Sequence, residues 1–232
     1  MVATTDMISK GRLNLGIGAG WYKEEALSYG ISFPKGGMRV DMLDEALQVM
    51  KALWTKDKAT FVGKYYSLNK AVCTPKPMQK PYPPILVGGG APKMMRVIAK
   101  HADAWDLGFS TVREIKALRA QLDEVCKEVG RDPRAIENTY QSRVIMAETD
   151  SLAFERAERW REERHGKAND WDWKVVIKGS PETCVKTIRT YVDAGITHFT
   201  LLFADVAKLE PLQLFSKTVI PEIREGLTKQ SC

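Results

Sequence analysis

Two glycine-rich stretches hold the chemistry open to this sequence. In "RLNLGIGAGW", Arg12 to Trp21, a hydrophobic strand runs into Gly16, Gly18 and Gly20, spaced two apart, and then a tryptophan. In "ILVGGGAPKMMRVIAK", Ile85 to Lys100, another strand ends in Gly88, Gly89 and Gly90 before a helix with Lys93 near its start. Backbone without side chains can turn its amides toward an anion, and the free N–H groups of a helix start favour phosphate, so the second stretch reads as an anion site with Lys93 within reach. The first is a poor dinucleotide fingerprint. Its G-x-G-x-G spacing leads into "YKEEALSYG" rather than an apolar helix, and Gly36 and Gly37 stand where an acidic ribose ligand belongs. Three bare positions at a strand exit suit a flat ring lying against the backbone. The packing alternatives stay open for both: a tight strand exit in one, close helix-on-strand packing in the other. Trp21 and Trp105, each at a strand end beside a glycine loop, are core aromatics or pocket walls.

The remaining reactive residues point elsewhere. His101 closes an amphipathic helix, His165 lies in a charged one and His198 opens the last strand, so structural or solvated roles are expected and no nucleophile–base pair assembles. No catalytic acid or base is named. Cys73, Cys126, Cys184 and Cys232 are far apart and form no C-x-x-C pair, which argues against a disulfide framework or a metal site. The run "ERAERWREERHG" reads as a solvated helix face with ion pairs. The net charge of +6 is scattered along the chain, so no nucleic-acid partner is expected. The N-terminus lacks the apolar middle of a signal peptide and no stretch is long enough for a membrane span, so a cytoplasmic protein without a membrane partner is expected.

Strands and helices must hold these loops in place. With 44% hydrophobic and 28% charged residues, the chain can bury a substantial core. After "LNLGIG", the segment "MRVDMLDEALQVMKALW" spaces Val40, Leu43, Leu47, Met50, Leu53 and Trp54 as one helix face. "ATFVGKYYSL" predicts a hairpin around Gly63, and "CTPKPMQKPYPP" an extended connector to the strand "ILVGGG". Pro92 suits the first turn of the next helix, "DAWDLGF" is a short strand, and Gly130 stops the helix that follows it. The strand "TYQSRVIMAE", the helices "SLAFERAERWREERHG" and "SPETCVKTIRTYVDAG", and the strand "THFTLLF" continue the alternation, with Ser180 as a helix cap. The outcome is an α/β class with five parallel strands in a single domain over 1–232. Ligand-like ends on successive strands favour a barrel, which gathers loops from many strands at one mouth, over an open sheet.

The segments "GRLNLGIGAGW", "RVDMLDEALQVMKALW", "FVGKYYSL", "PKPMQKPYPPILVGGG", "HADAWDLG" and "YVDAGITHFTLLF" occur here in the order and spacing of the luciferase-like monooxygenase superfamily, and most resemble its deazaflavin-dependent oxidoreductases. The resemblance implies a (β/α)8 TIM barrel holding coenzyme F420, or alternatively FMN, at its C-terminal mouth. It implies hydride transfer to or from a small-molecule substrate, or oxygen insertion with reduced flavin. It assigns cofactor contact to Gly18, Ala19, Gly20 and Trp21, and phosphate contact to Gly89 and Gly90, with Ala104 and Trp105 after the following strand. The anion reading of Gly88 to Gly90 reaches the same loop independently. Ala26 stands where many relatives place a histidine. The chain begins within what resembles the helix before the family's fourth strand, so an N-terminally incomplete barrel of about five strands is expected. A homo-oligomer or a partner chain could complete it, and an inactive fragment keeping the scaffold is the alternative to an enzyme.

Overall fold

The computed structural model describes residues 1–163, 173–204 and 209–230. The chain divides into two compact units, Met1–Asp106 with Ala120–Ile136, and Leu107–Arg119 with Glu137–Cys232.

In the first unit, three short parallel strands form a ladder: β1 (Leu15–Ile17) pairs β2 (Ile85–Gly88), which pairs β3 (Ala104–Asp106). The register sets Ile17 beside Val87 beside Trp105, and Gly16 beside Leu86 beside Ala104. Register partners in a parallel ladder point to the same side, so the ladder has two unlike faces. Ile85, Val87 and Trp105 are fully buried, and with Leu47, Met95 and Ile98 they form the core against the helices. Gly16, Gly18 and Gly88 occupy the other face.

Helices α1 (Val2–Ile8), α2 (Lys23–Ser28), α3 (Gly36–Thr55) and α4 (Pro92–His101) belong to this unit. Of the stripe predicted for α3, Val40, Leu43, Leu47 and Trp54 are buried, and Met50 and Leu53 are half-buried. Lys76 donates to the carbonyls of Leu53, at 2.7 Å, and Lys56, placing a cation at the negative end of that helix. Asp6, buried in α1, accepts from the backbone N–H (2.9 Å) and side-chain amide (2.7 Å) of Gln79, whose amide also donates to the Leu13 carbonyl just before β1. The predicted hairpin is present as an antiparallel pair, Ala59–Val62 with Ser67–Ala71. The Glu45 carboxylate in α3 receives the N–H groups of Lys64, Tyr65 and Tyr66 at the turn, at 2.8, 2.8 and 3.1 Å.

Helix α5 (Val112–Val129) begins in the second unit and ends in the first, where Gly130 at φ +73° stops it as expected. In the second unit, β4 (Glu137–Met146) pairs in parallel with β5 (Ile177–Gly179) and β6 (His198–Phe203). Helices α6 (Asp150–Glu163), α7 (Pro181–Asp193) and α8 (Glu210–Gln230) alternate with these strands. Val144, Met146, Ile177, Cys184, Ile188, Phe215 and Val219 make its core. The described residues thus hold six parallel strands, where the sequence predicts five. The added strand is β5, three residues long with Lys178 at its centre.

Candidate functional site

All nine predicted cofactor positions fall in the first unit. Gly18 and Gly88 continue adjacent strands and lie together: a Cβ built on Gly18 would meet only the Gly88 carbonyl oxygen, at 4.0 Å, and one on Gly88 would meet nothing within 4 Å. Packing therefore does not require glycine at either position. Their bareness opens space on the solvent side and leaves a smooth floor there. Gly20 and Gly89 differ, since φ of +80° and +115° puts both in the left-handed region, where a side chain is strained.

Arg39 holds the first loop from behind, in a role the sequence reading missed. Its guanidinium donates to the carbonyls of Ala19 (3.0 Å), Gly20 (3.3 Å) and Pro34 (2.6 Å), and lies 3.8 Å from the Phe33 ring centroid. A cation in the first turn of a helix opposes the helix dipole, which was the available signal that Arg39 serves something outside α3. Trp21 is not a core residue: it is 86% exposed and stacks on Tyr22 with ring centroids 5.3 Å apart. Helix α2 buries no side chain, and Ala26 sits half-exposed within it.

Trp105 stands behind the second loop rather than on its surface, whereas Ala104, in register with Leu86 and Gly16, lies on the glycine face of the ladder. Trp105 is wholly buried, and its indole N–H donates to the Gly89 carbonyl at 2.8 Å. In a planar trans peptide, C=O and N–H point in opposite directions. With the Gly89 carbonyl drawn back to the core, the Gly90 N–H faces outward, so Trp105 acts through that peptide plane. Helix α4 then starts at Ala91 without a side-chain cap, and Pro92 in its first turn has no N–H to satisfy. Lys93, expected to be available to an anion, is held instead by Asp41 (2.7 Å) and the Gly37 carbonyl (3.0 Å). Its charge is already balanced, and the amides of the loop and helix start are the donors that remain.

Helix α7 shows what a satisfied start looks like. The Ser180 hydroxyl accepts from the Thr183 N–H, and the Asp150 carboxylate accepts from the Ser180 N–H at 2.7 Å and the Thr183 hydroxyl at 3.0 Å. The Ser180 N–H, followed by Thr183, holds the Asp150 carboxyl below the usual range. Gly179 at φ +142° leaves no room for a side chain beside Thr183 and Asp150.

The His101 ring bonds Asp44 at 2.8 Å between α4 and α3, and burial holds its pKa low against the pull of that carboxylate. His198 is exposed at the first residue of β6. Cys126 and Cys184 are buried, and burial pushes the Cys184 thiol up to about 12. Among the described residues no group of histidine, cysteine and carboxylate side chains could hold a metal ion, and no helix is long and apolar enough to cross a membrane. His165, Cys232 and the end of the charged helix run lie outside the described residues.

The sequence model of the luciferase-like monooxygenase domain matches residues 1–198 of the chain. The chain belongs to the luciferase-like monooxygenase family. This luciferase-like chain is 40% identical over 115 residues to an uncharacterised protein of Mycobacterium tuberculosis, covering 49% of the chain and 38% of that protein. It is 27% identical over 152 residues to the FMNH(2)-dependent dimethylsulfone monooxygenase of Pseudomonas putida, covering 66% of the chain and 41% of the relative. It is 25% identical over 248 residues to the F420-dependent glucose-6-phosphate dehydrogenase of Kineococcus radiotolerans, covering 96% and 72%. The match to the mycobacterial and Pseudomonas relatives therefore spans about two fifths of their own length. Among solved structures, an F420-dependent secondary alcohol dehydrogenase superposes with a TM-score of 0.82 at 24% identity, over 96% of the chain and 73% of that structure. The fold of this luciferase-like chain is thus that of a family with both F420-dependent and FMN-dependent members.

Proposed function

We propose that the chain carries the coenzyme-binding part of an oxidoreductase that passes a hydride between coenzyme F420 and a small organic substrate. The single observation behind this is the bare floor at Gly18 and Gly88, glycines the packing does not call for, next to the uncapped start of α4. The residues fit such a group. Gly18, Ala19 and Gly20 would lie along a flat ring, with Trp21 at its margin. The Gly90 N–H and the first free N–H groups of α4 would hold its phosphate, with Gly88 and Gly89 giving close backbone approach and Trp105 fixing the peptide plane. The bound coenzyme supplies the reactive carbon, so the protein's part is binding, orientation and electrostatics. Arg39, by donating to the carbonyls of Ala19 and Gly20, fixes the course of the loop that would carry the ring.

FMN with monooxygenase chemistry is the second reading, supported by the similarity to the Pseudomonas FMNH(2)-dependent enzyme. The floor and the anion donors serve either coenzyme. Titrating the purified chain with each and following ring fluorescence separates them, with tighter binding of F420 expected. Gly88→Leu should abolish that binding and leave the melting temperature close to the parent's. Failure of both coenzymes to bind at high micromolar concentration would sink the proposal.

A further inference from the structure

The second unit contains a cavity of about 290 Å³ at the C-terminal ends of β4 and β6, the end of parallel strands where α/β proteins place their ligands. Ile145, Met146, Trp160 and Phe203 give it apolar walls. Arg156 of α6 lines it, half-buried, with one guanidinium nitrogen donating to the Met146 carbonyl at 3.2 Å. That bond fixes the head group at the mouth of the strand. A guanidinium has five N–H donors, so donors of Arg156 stay uncommitted among the described residues.

The charges around the cavity are of unequal availability. Arg159 also lines it, but is engaged with Glu155 at 2.7 Å and points largely to solvent. Among the described residues, Glu163 is the one acidic side chain that lines it. Arg143 lies over the Trp160 ring, 5.3 Å from its centroid. With Arg159 already paired to Glu155, Arg156 is the guanidinium among the described lining residues that keeps donors for an anion. A volume equal to roughly ten waters admits a compact molecule and not a dinucleotide.

We propose that this cavity binds a small organic monocarboxylate, its carboxylate on Arg156 and its hydrocarbon body against Trp160 and Phe203. The fork of a guanidinium matches a carboxylate through two parallel hydrogen bonds, which a neutral molecule of the same shape lacks. A dianion would face Glu163 with a charge left over. This site is independent of the coenzyme reading and stands or falls without it.

The test is calorimetric titration of the whole chain with benzoate as the probe, and with benzyl alcohol as its neutral counterpart. Saturable binding of benzoate is expected, at least about tenfold tighter than that of benzyl alcohol. Arg156→Met should weaken benzoate by about tenfold or more, Arg156→Lys should restore part of the loss, and Arg159→Gln should change it by less than about threefold because Arg159 is already paired. Should Arg156→Met fail to fold, Ala204→Phe, which fills the cavity without touching a charge, must abolish binding by itself. The proposal is overturned by the absence of benzoate binding up to roughly 10 mM, by equal affinity for the alcohol, or by full benzoate affinity in a folded Arg156→Met or Ala204→Phe protein.

Discussion

Replacing Trp105 with phenylalanine separates a stability role from a positioning role in one side chain. Trp105 is fully buried and makes a 2.8 Å bond to the Gly89 carbonyl. Phenylalanine removes that donor, and once the exposed Gly89–Gly90 peptide turns its carbonyl out to water, the net loss is about 1 kcal/mol. The smaller ring also leaves a void of about 40 Å³, which at roughly 24 cal/mol per Å³ costs about another 1 kcal/mol. For a chain of this length, a loss of about 2 kcal/mol lowers the melting temperature by roughly 4–8 °C. The second consequence concerns the ligand. Without the indole, the Gly89–Gly90 peptide is free to rotate, and a bond of about 1 kcal/mol lost from the competent arrangement weakens coenzyme affinity by up to about fivefold. Ile98→Val is the control, since Ile98 is equally buried and the change opens a core void costing about 1 kcal/mol without touching Gly89. Thermal denaturation by near-ultraviolet circular dichroism and fluorescence titration of the coenzyme are run on the parent and both variants. The expected result is a lower melting temperature in both and weaker binding in Trp105→Phe alone. Equal affinity in all three proteins would refute the argument that the indole orients the loop.

Arg39→Met removes the donor shared by the Ala19, Gly20 and Pro34 carbonyls, and should weaken coenzyme binding by about tenfold, with Arg39→Lys intermediate; an unchanged dissociation constant would show the loop to be held by other contacts. Gly63→Ala would set a Cβ against the Glu45 carboxylate and the Phe61 ring, and should destabilise the protein by about 1–3 kcal/mol in urea unfolding. Combined with Glu45→Ala, the same change should cost much less than the sum of the two, and strict additivity would count against the clash. Burial pushes the Asp6 carboxyl up, yet the hydrogen bonds from Gln79 outweigh it and the pKa lies below the usual value. The unfolded chain therefore binds the proton more readily, so the Asp6 contribution is complete above about pH 4 and is lost as the pH falls through the lowered value. Asp6→Asn should flatten the acid limb of the stability curve, and a limb parallel to the parent's would contradict that.

The sequence and the structure agree most where a pattern is long. Pro92 at the start of α4, Gly130 after α5 and the Ser180 cap each give a local physical reason for an element boundary where it was predicted, and the period of α3 gives the helix, which starts two residues earlier, at Gly36. Strand β5 was not legible, because three residues with a lysine in the middle show no alternation to detect; the Val175–Val176–Ile177 run before "GSPET" was the only cue. At the candidate site, the glycines could be read as a loop, but not which of them the backbone needs. Positive φ marks Gly20 and Gly89, whereas Gly18 and Gly88 are explained only once the adjoining strands are in register. Trp105 was read as a contact and acts from the far face of the ladder, because a three-residue strand gives no hint of which way its central residue points. Lys93 was expected to be free, and its pairing with Asp41 depends on α3 and α4 lying side by side, which spacing along the chain does not encode.

The glycines at 18 and 88 separate two pressures on the protein. Random mutagenesis screened only for well-folded product should accept side chains at both positions, since nothing in the interior pushes back. A library screened for coenzyme binding should, under the proposed function, return glycine there almost without exception. Positions of this kind let a lineage lose its coenzyme in one step with its scaffold intact, and they mark where a folded but silent relative would first diverge.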